Sequence, residues 1–233
     1  MTDTADTRER IIDRAMDLFV YQGYAATGLA QIAKESGAHG GSVYHFFPTK
    51  EDLLRAVLER RKELLFPEVL APIWKKIDDP VERIFALMDG YRRMLRMSEF
   101  SHGCPIGNLA LEISESHPAA RRLLAENFDN WLHFVEQCIS DARDRLPPDV
   151  EPRTLAIFVL TTMEGAVMLA RTYRSFQAYD AAIATLRDHF DRLLAMGATW
   201  APPREGGRPR GNRAAPGSKK GPPPRPRRRG PRS

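Results

Sequence analysis

Cysteine is almost missing from this 233-residue chain: Cys104 and Cys138 are the only two, which excludes a disulfide-stapled scaffold. Long apolar runs are missing too. The longest, Leu155 to Ala170, covers sixteen residues and contains Thr161, Thr162 and Glu164, short of the ~20 apolar residues a membrane-spanning helix needs. The opening MTDTADTRER is polar and lacks the apolar core of a signal peptide. A soluble, cytoplasmic protein with no membrane partner is therefore expected. No alternating strand pattern survives a pass along the chain. From Ala201 onward Val, Ile, Leu, Met, Phe, Trp and Tyr do not occur, while nine of the eighteen prolines do. Residues 201–233 have nothing to bury and are expected to form a disordered basic tail.

Enzymatic signatures are equally scarce. The sequence holds no glycine-rich phosphate loop, no Gly-x-Ser-x-Gly elbow and no His-Glu-x-x-His, so neither an enzyme nor a cofactor is expected. His102 and Cys104 form the only close pair of soft metal ligands, and one pair does not build a tetrahedral site. His117, His133 and His189 are scattered over different predicted helices.

Charge needs to be located before it is interpreted. The net charge is +5, yet residues 201–233 carry eleven basic side chains against Glu205 alone, which leaves residues 1–200 at −5. A mildly acidic body gives little support for nucleic-acid binding, so a motif has to carry that reading. The basic tail could add a nonspecific electrostatic hold on phosphates.

Such a motif lies between Thr27 and Lys50. Ala33 supplies the small side chain that two closely crossing helices need, and Gly37, four residues on, tolerates the positive φ of a tight turn. Val43, six residues after that glycine, gives the second helix an apolar knob to pack on the first. The opposite face is then free for a major groove.

Around this pair the apolar spacing predicts helices throughout. Asp6 with Glu9 fits a capping box opening a helix to about Tyr21, ended by Gly23. Thr49 fits an N-cap, with Glu51 and Asp52 favouring the positive end of a fourth helix. That helix runs to about Leu65, where Pro67 and Pro72 interrupt the pattern. Another helix is expected from Pro80 to about Met97, then a loop over SEFSHGCPIG and a short helix to about Ser116. From His117 to about Leu146, Leu124, Phe128, Trp131, Val135 and Cys138 make a heptad-like stripe. Residues Glu151 to Arg174 are apolar nearly all round and should be covered on most sides. In the last helix, about Gln177 to Met196, Ile183, Leu186, Phe190 and Leu193 form one stripe.

The stretch Ile11 to Leu54 resembles the amino-terminal domain of the TetR family of one-component transcriptional regulators. The matching residues are Ala15, Leu18-Phe19, Gly23-Tyr24, Thr27, Ile32-Ala33-Lys34, Gly37, Gly41-Ser42-Val43-Tyr44, Phe47-Pro48 and Lys50. They recur in order without gaps. Two positions depart from the usual pattern: Gly40 stands where many members carry a long polar residue, and Phe46 stands where a histidine is common, with His45 one place earlier.

The resemblance implies an all-α protein of about nine helices. A helix-turn-helix DNA-binding domain would occupy residues 1–50 and a helical ligand-binding and dimerisation domain about 51–200. It implies that a segment beginning near His39 enters the major groove, with Gly40, Gly41, Ser42, Tyr44 and His45 facing bases or backbone. Thr27 and Lys50 match positions that hold phosphate at helix starts, a role helix N-termini suit. Two adjacent glycines would let the backbone approach the duplex, while Ser42, Tyr44 and His45 carry groups able to bond bases or phosphates. The helices at about 151–174 and 177–196 resemble the family's dimerisation pair, so the operator should be roughly palindromic.

A small-molecule effector is expected among the fifth to eighth helices, with Phe85, Met88, Tyr91, Cys104, Asn108, Trp131, Phe134 and Met163 as candidate wall residues. That mix suits a mostly apolar molecule with one or two polar handles. Glu164, the lone charge inside an apolar helix, could bond a ligand or a partner helix. The expected activity is operator binding by a repressor that ligand releases as the fourth helix swings. Two alternatives remain open: an electrophile sensor acting through Cys104, beside which an imidazolium at His102 would favour the thiolate, and a helical ligand-binding protein that does not touch DNA.

Overall fold

The computed structural model describes residues 2–199; the predicted disordered tail, 201–233, lies outside them. The described residues contain helices and no strand. α1 (Thr2–Gln22) is already under way at Asp6, so the expected capping box does not open it. Asp6 instead accepts a hydrogen bond from Arg10 at 2.8 Å, one helical turn on. Gly23, at φ 91°, ends the helix.

α2 (Leu29–Ser36) closes on Gly37 at φ 67°, whose left-handed backbone turns the chain within two residues into α3 (Gly40–Phe46). Ala33 and Val43 are buried between them, as the spacing predicts. Thr49 caps α4 (Lys50–Leu64) through a reciprocal box: its hydroxyl accepts from the Asp52 N–H at 3.1 Å, and the Asp52 carboxylate accepts from the Thr49 N–H at 3.1 Å.

The expected break after Leu65 does not occur. The chain continues through a π-helical turn, Leu65–Leu70, into α5 (Ala71–Trp74). A wider turn absorbs the hydrogen bond that Pro67 cannot donate, and Pro72 sits in the first turn of α5, where its missing N–H costs little. α6 (Pro80–Met97) starts on Asp79, which accepts from the N–H groups of Val81 and Glu82 at 2.8 and 3.2 Å.

The next loop is shorter than expected, because Pro105 opens α7 (Pro105–Ile113) directly after Cys104. α8 (Pro118–Asp141) ends before Leu146 and gives way to a 3-10 turn, Arg143–Arg145. α9 (Pro152–Tyr173) and α10 (Gln177–Thr199) complete the bundle. Counting α4 with α5 as one interrupted helix leaves nine α-helices among the described residues.

Two apolar clusters hold these helices. One runs from Ile11 to Leu58 and takes in Cys104, Ile106, Leu109, Ile113, Ala120 and Leu124. The other joins Leu65 and Leu70 with α6, α8, α9 and α10. No packing gap therefore falls at residue 50: the amino-terminal core extends into α4, α7 and the start of α8. α9 packs along α8 and α10. On its other side it leaves Ile157, Phe158, Met168, Leu169 and Tyr173 exposed, so within one chain it is less covered than its composition suggests.

Candidate functional site

The α2–α3 pair shows one face to solvent. Val43 is 0% exposed and anchors α3 from beneath, which turns Tyr44, 57% exposed, outward. His39, Gly40, Gly41 and His45 are exposed beside it, and Ser42 is half-buried. A Cβ at Gly40 or Gly41 would meet nothing within 4 Å, so packing inside the chain does not require either glycine. Thr7 and Arg10 of α1 share a shallow groove with His39, Gly41, Ser42 and His45. These α1 residues were not picked out from the sequence: Thr7 lies half-buried one turn before Ile11, and Arg10 is exposed.

Two expected phosphate-holding residues sit differently. Thr27 is buried; its hydroxyl donates to the Gly23 carbonyl at 2.7 Å and accepts from Gln22 Nε2 at 3.1 Å. Its side chain is spent inside the α1–α2 turn. Lys50 is half-buried, with Nζ 4.1 Å from the centre of the Tyr24 ring and donating to the Ala25 carbonyl at 3.4 Å. Burial lowers its pKa, against the opposing pull of Glu112.

Glu112, on α7, binds the same turn. Its carboxylate accepts from the N–H groups of Tyr24 and Ala25 at 2.8 and 2.6 Å. α7 thus touches the amino-terminal helices through one charged clamp, and through Leu109 and Ile113 in the shared core.

The other end of α7 lines a cavity of about 900 Å³, open to solvent. Tyr21 of α1, Phe100, Cys104, Asn108, Phe128, Glu164 and Arg171 are among its walls. Tyr91 and Trp131 line a small adjoining cleft that shares Cys104 and Glu164. Phe85, Met88, Phe134 and Met163 line neither space. Phe85 packs edge-on to Phe190 at 5.5 Å, and Met88 and Met163 are fully buried. Phe134 stacks on Phe66 at 5.1 Å. The rotation of α6 faces Phe85 and Met88 toward α10, and Phe134 lies on the α5 side of α8. Among the walls, Phe100, Phe128 and Arg171 were missed.

Ser101, Asn108, Glu164, Arg171, Thr172 and Arg174 bring polar groups to the cavity wall. Glu164 Oε1 is buried and has no hydrogen-bond partner within the protein, as is true of Arg171 Nε and Trp131 Nε1. Arg171 does donate to Asn108 Oδ1 at 2.7 Å and to the Ser101 carbonyl at 3.3 Å. Burial raises the pKa of Glu164, partly offset by the Cys104 thiol beside it. The Cys104 thiol is pushed up to about 12 by burial and by Glu164. The charge facing Cys104 is negative, opposite in sign to the imidazolium expected to activate it. His102 instead bonds Ser101 Oγ through Nδ1 at 2.9 Å. Among the described residues no group of three or more His, Cys, Asp or Glu side chains could hold a metal ion.

An outward-facing helix on a compact helical pair, joined to a bundle with a cavity, defines a helix-turn-helix regulator with a separate ligand-sized space. Residues 11–57 match the family described as bacterial regulatory proteins, tetR family, and residues 80–186 match the tetracyclin repressor-like, C-terminal domain. The chain is 34% identical over 175 residues to an uncharacterized HTH-type transcriptional regulator, YxaF, of Bacillus subtilis (strain 168), a match covering 74% of this chain and 88% of that protein. It is 32% identical over 171 residues to the HTH-type transcriptional regulator LmrA of the same strain, covering 73% and 89%. A TetR transcriptional regulator from Chloroflexus aurantiacus J-10-FL superposes with a TM-score of 0.71 at 29% identity, covering 82% of this chain and 98% of that one. The chain belongs to the TetR family of DNA-binding transcriptional regulators, which are not enzymes. Regulators of this family bind operator DNA and act as dimers.

Proposed function

We infer that this chain is a cytoplasmic, dimeric repressor, and that a small molecule in the α7–α9 cavity releases it from a palindromic operator. His39, Gly40, Gly41, Ser42, Tyr44 and His45 meet the DNA. The open space over Gly40 and Gly41 supports this, since a missing side chain with no internal cause fits close approach by an outside surface. Two copies associate through α9 and α10, covering Ile157, Phe158, Met168, Leu169 and Tyr173. An apolar face of that kind on a helix marks a partner surface.

The single observation that carries the regulatory reading is that α7 belongs to both sites. Cys104 at its start and Asn108 one turn on face the cavity, and Glu112 a further turn on holds the α1–α2 turn. A ligand that shifts α7 therefore acts on the α3 pair with no long relay. It can move the equilibrium only by its differential affinity for the two states, ~1–3 kcal/mol in typical cases. The thiol-sensor alternative is disfavoured by Cys104, whose pKa of about 12 keeps it protonated and so weakly nucleophilic.

Footprinting on the chain's own upstream DNA tests the reading. Two protected half-sites related by a two-fold, about one helical turn apart or slightly more, are expected. Protection of one half-site by a monomer would overturn it.

A further inference from the structure

Glu164 and Arg171 stand seven residues apart on α9 and both line the cavity. That separation is about 10 Å along the helix axis, with both side chains near the same face. Val167 and Met168 lie between them, and Phe100, Leu111 and Phe128 add further apolar wall. Among the described residues neither charge joins an ion pair, and each keeps one buried atom without a partner, Glu164 Oε1 and Arg171 Nε. The Arg171 guanidinium already gives hydrogen bonds to Asn108 and to the Ser101 carbonyl. Glu164 Oε1 has no donor from the protein at all.

Such an atom is rare, because a buried oxygen without a donor forfeits its hydration without replacement. The backbone of α7 passes close by: a Cβ on Gly107 would collide with the Glu164 carboxylate. Any side chain there would force Glu164 aside, so the glycine preserves its place at the cavity wall. A carboxylate held in position at a cavity wall, with the Cys104 thiol beside it and Oε1 left without a donor, is a receptor for a further donor.

We propose that the cavity takes an apolar molecule bearing a hydrogen-bond-donating nitrogen or hydroxyl that docks on the Glu164 carboxylate, its body lying along Val167, Met168 and Phe128 toward Arg171. This inference rests on the reading of the cavity as the effector site. The donor is the selective feature, because the apolar walls accept any body of suitable shape, whereas only a donor relieves the carboxylate. An anionic group at that position would face Glu164 directly and is rejected. Amines and alcohols share the required chemistry, and a cationic amine adds charge complementarity.

Four probes on one body separate these possibilities: 4-phenylbutylamine, 4-phenylbutan-1-ol, 4-phenylbutanoate and butylbenzene. Calorimetric titration of the full-length protein is expected to rank the amine or the alcohol about tenfold or more above butylbenzene, the scale of one hydrogen bond to a charged group. The carboxylate should bind weakest. In Glu164→Leu the donors' advantage over butylbenzene should vanish. The ranking by the wild-type protein is decisive even if that variant folds poorly. An amine lead assigns a cationic effector, and an alcohol lead assigns a neutral one. A ranking led by the carboxylate or by butylbenzene, or no binding of either donor at millimolar concentration, would overturn the proposal. Release of operator DNA is followed separately by gel shift. A Glu164-dependent donor preference without release would support the ligand class and count only against the effector reading.

Discussion

The amino-terminal helices and the bundle behind them are both all-helical, yet they are held together in different ways. The first draws its core from one contiguous stretch, Ile11 to Leu58, completed by α7 and the start of α8. Many of its polar groups are spent at short range: Gln22 bonds both Thr27 and Gln31, and Thr27 bonds the Gly23 carbonyl. The bundle draws its core from segments far apart in sequence. It sets ion pairs such as Arg187–Glu82 and Arg92–Asp180 on its surface and leaves Glu164 unsatisfied within. A region whose polar groups are met by its own side chains and by Glu112 of α7 keeps one shape and presents one face. A region with an unmet carboxylate oxygen beside a cavity has a reason to bind something. α7 is packed into the first and lines the cavity of the second, so it is where the two can influence each other.

The strongest challenge to that division is whether the regions melt apart. Phe190 is fully buried and packs on Phe85. Phe190→Ala should remove ~3–5 kcal/mol of stability, the usual cost of a large cavity in a core. Urea unfolding followed by far-ultraviolet circular dichroism should remain a single transition with a lower midpoint. The α4, α7 and α8 contacts make the amino-terminal core continuous with the bundle, and the described residues form one compact unit. Two separated transitions would mean that α7 joins the regions too weakly to couple them.

Legibility follows the same line. Ala33, Gly37, Val43 and the Thr49 cap could be read from the sequence because each answers a local demand: a close crossing, a left-handed turn, a buried knob, an orphan N–H. α6, α8 and α10 were readable as periodic stripes, and α9 as a segment apolar nearly all round. What stayed hidden depends on how a helix is rotated against distant neighbours. Phe85 and Met88 look like wall residues, as Phe100 and Phe128 do, until α10 is in place to cover the first pair. Thr27 looks like a phosphate ligand until Gln22 and Gly23 are seen to take its hydroxyl. Pro67 reads as a stop because sequence rules assume an α-helix, whereas a π turn passes it. Glu112 had no signal at all, being an acid on a short helix whose partners lie 87 and 88 residues earlier.

The exposed face of α3 can be tested without disturbing either core. With its ring 57% exposed, Tyr44 contributes little to packing. Tyr44→Ala should weaken operator binding by ~1–3 kcal/mol, the range for one good contact to a base, or about five- to 150-fold in affinity. Melting temperature and dimerisation should stay as in the wild type. An unchanged operator affinity with an altered oligomeric state would move the DNA contact elsewhere.

The smallest effect is expected at the clamp itself, and it bears most directly on the comparison. Glu112→Gln keeps one oxygen to accept a backbone N–H but turns an N–H donor toward the other. Glu112 is exposed, and solvent screening discounts the lost charge-assisted bond to ~0.5–1 kcal/mol. The α1–α2 turn should then open locally more often. Amide hydrogen exchange at Tyr24 and Ala25 should quicken by about two- to fivefold, the same energy expressed as a ratio, while exchange along α9 stays constant. Operator affinity should fall by less than in Tyr44→Ala, because α3 keeps its own contacts and loses only the support beneath its neighbour. If exchange along α9 quickened equally, the loosening would belong to the whole fold, and Glu112 would be one surface acid among many. A change confined to the turn would make α7 the mechanical link, with Asn108 and Glu112 as its two contact points one turn apart.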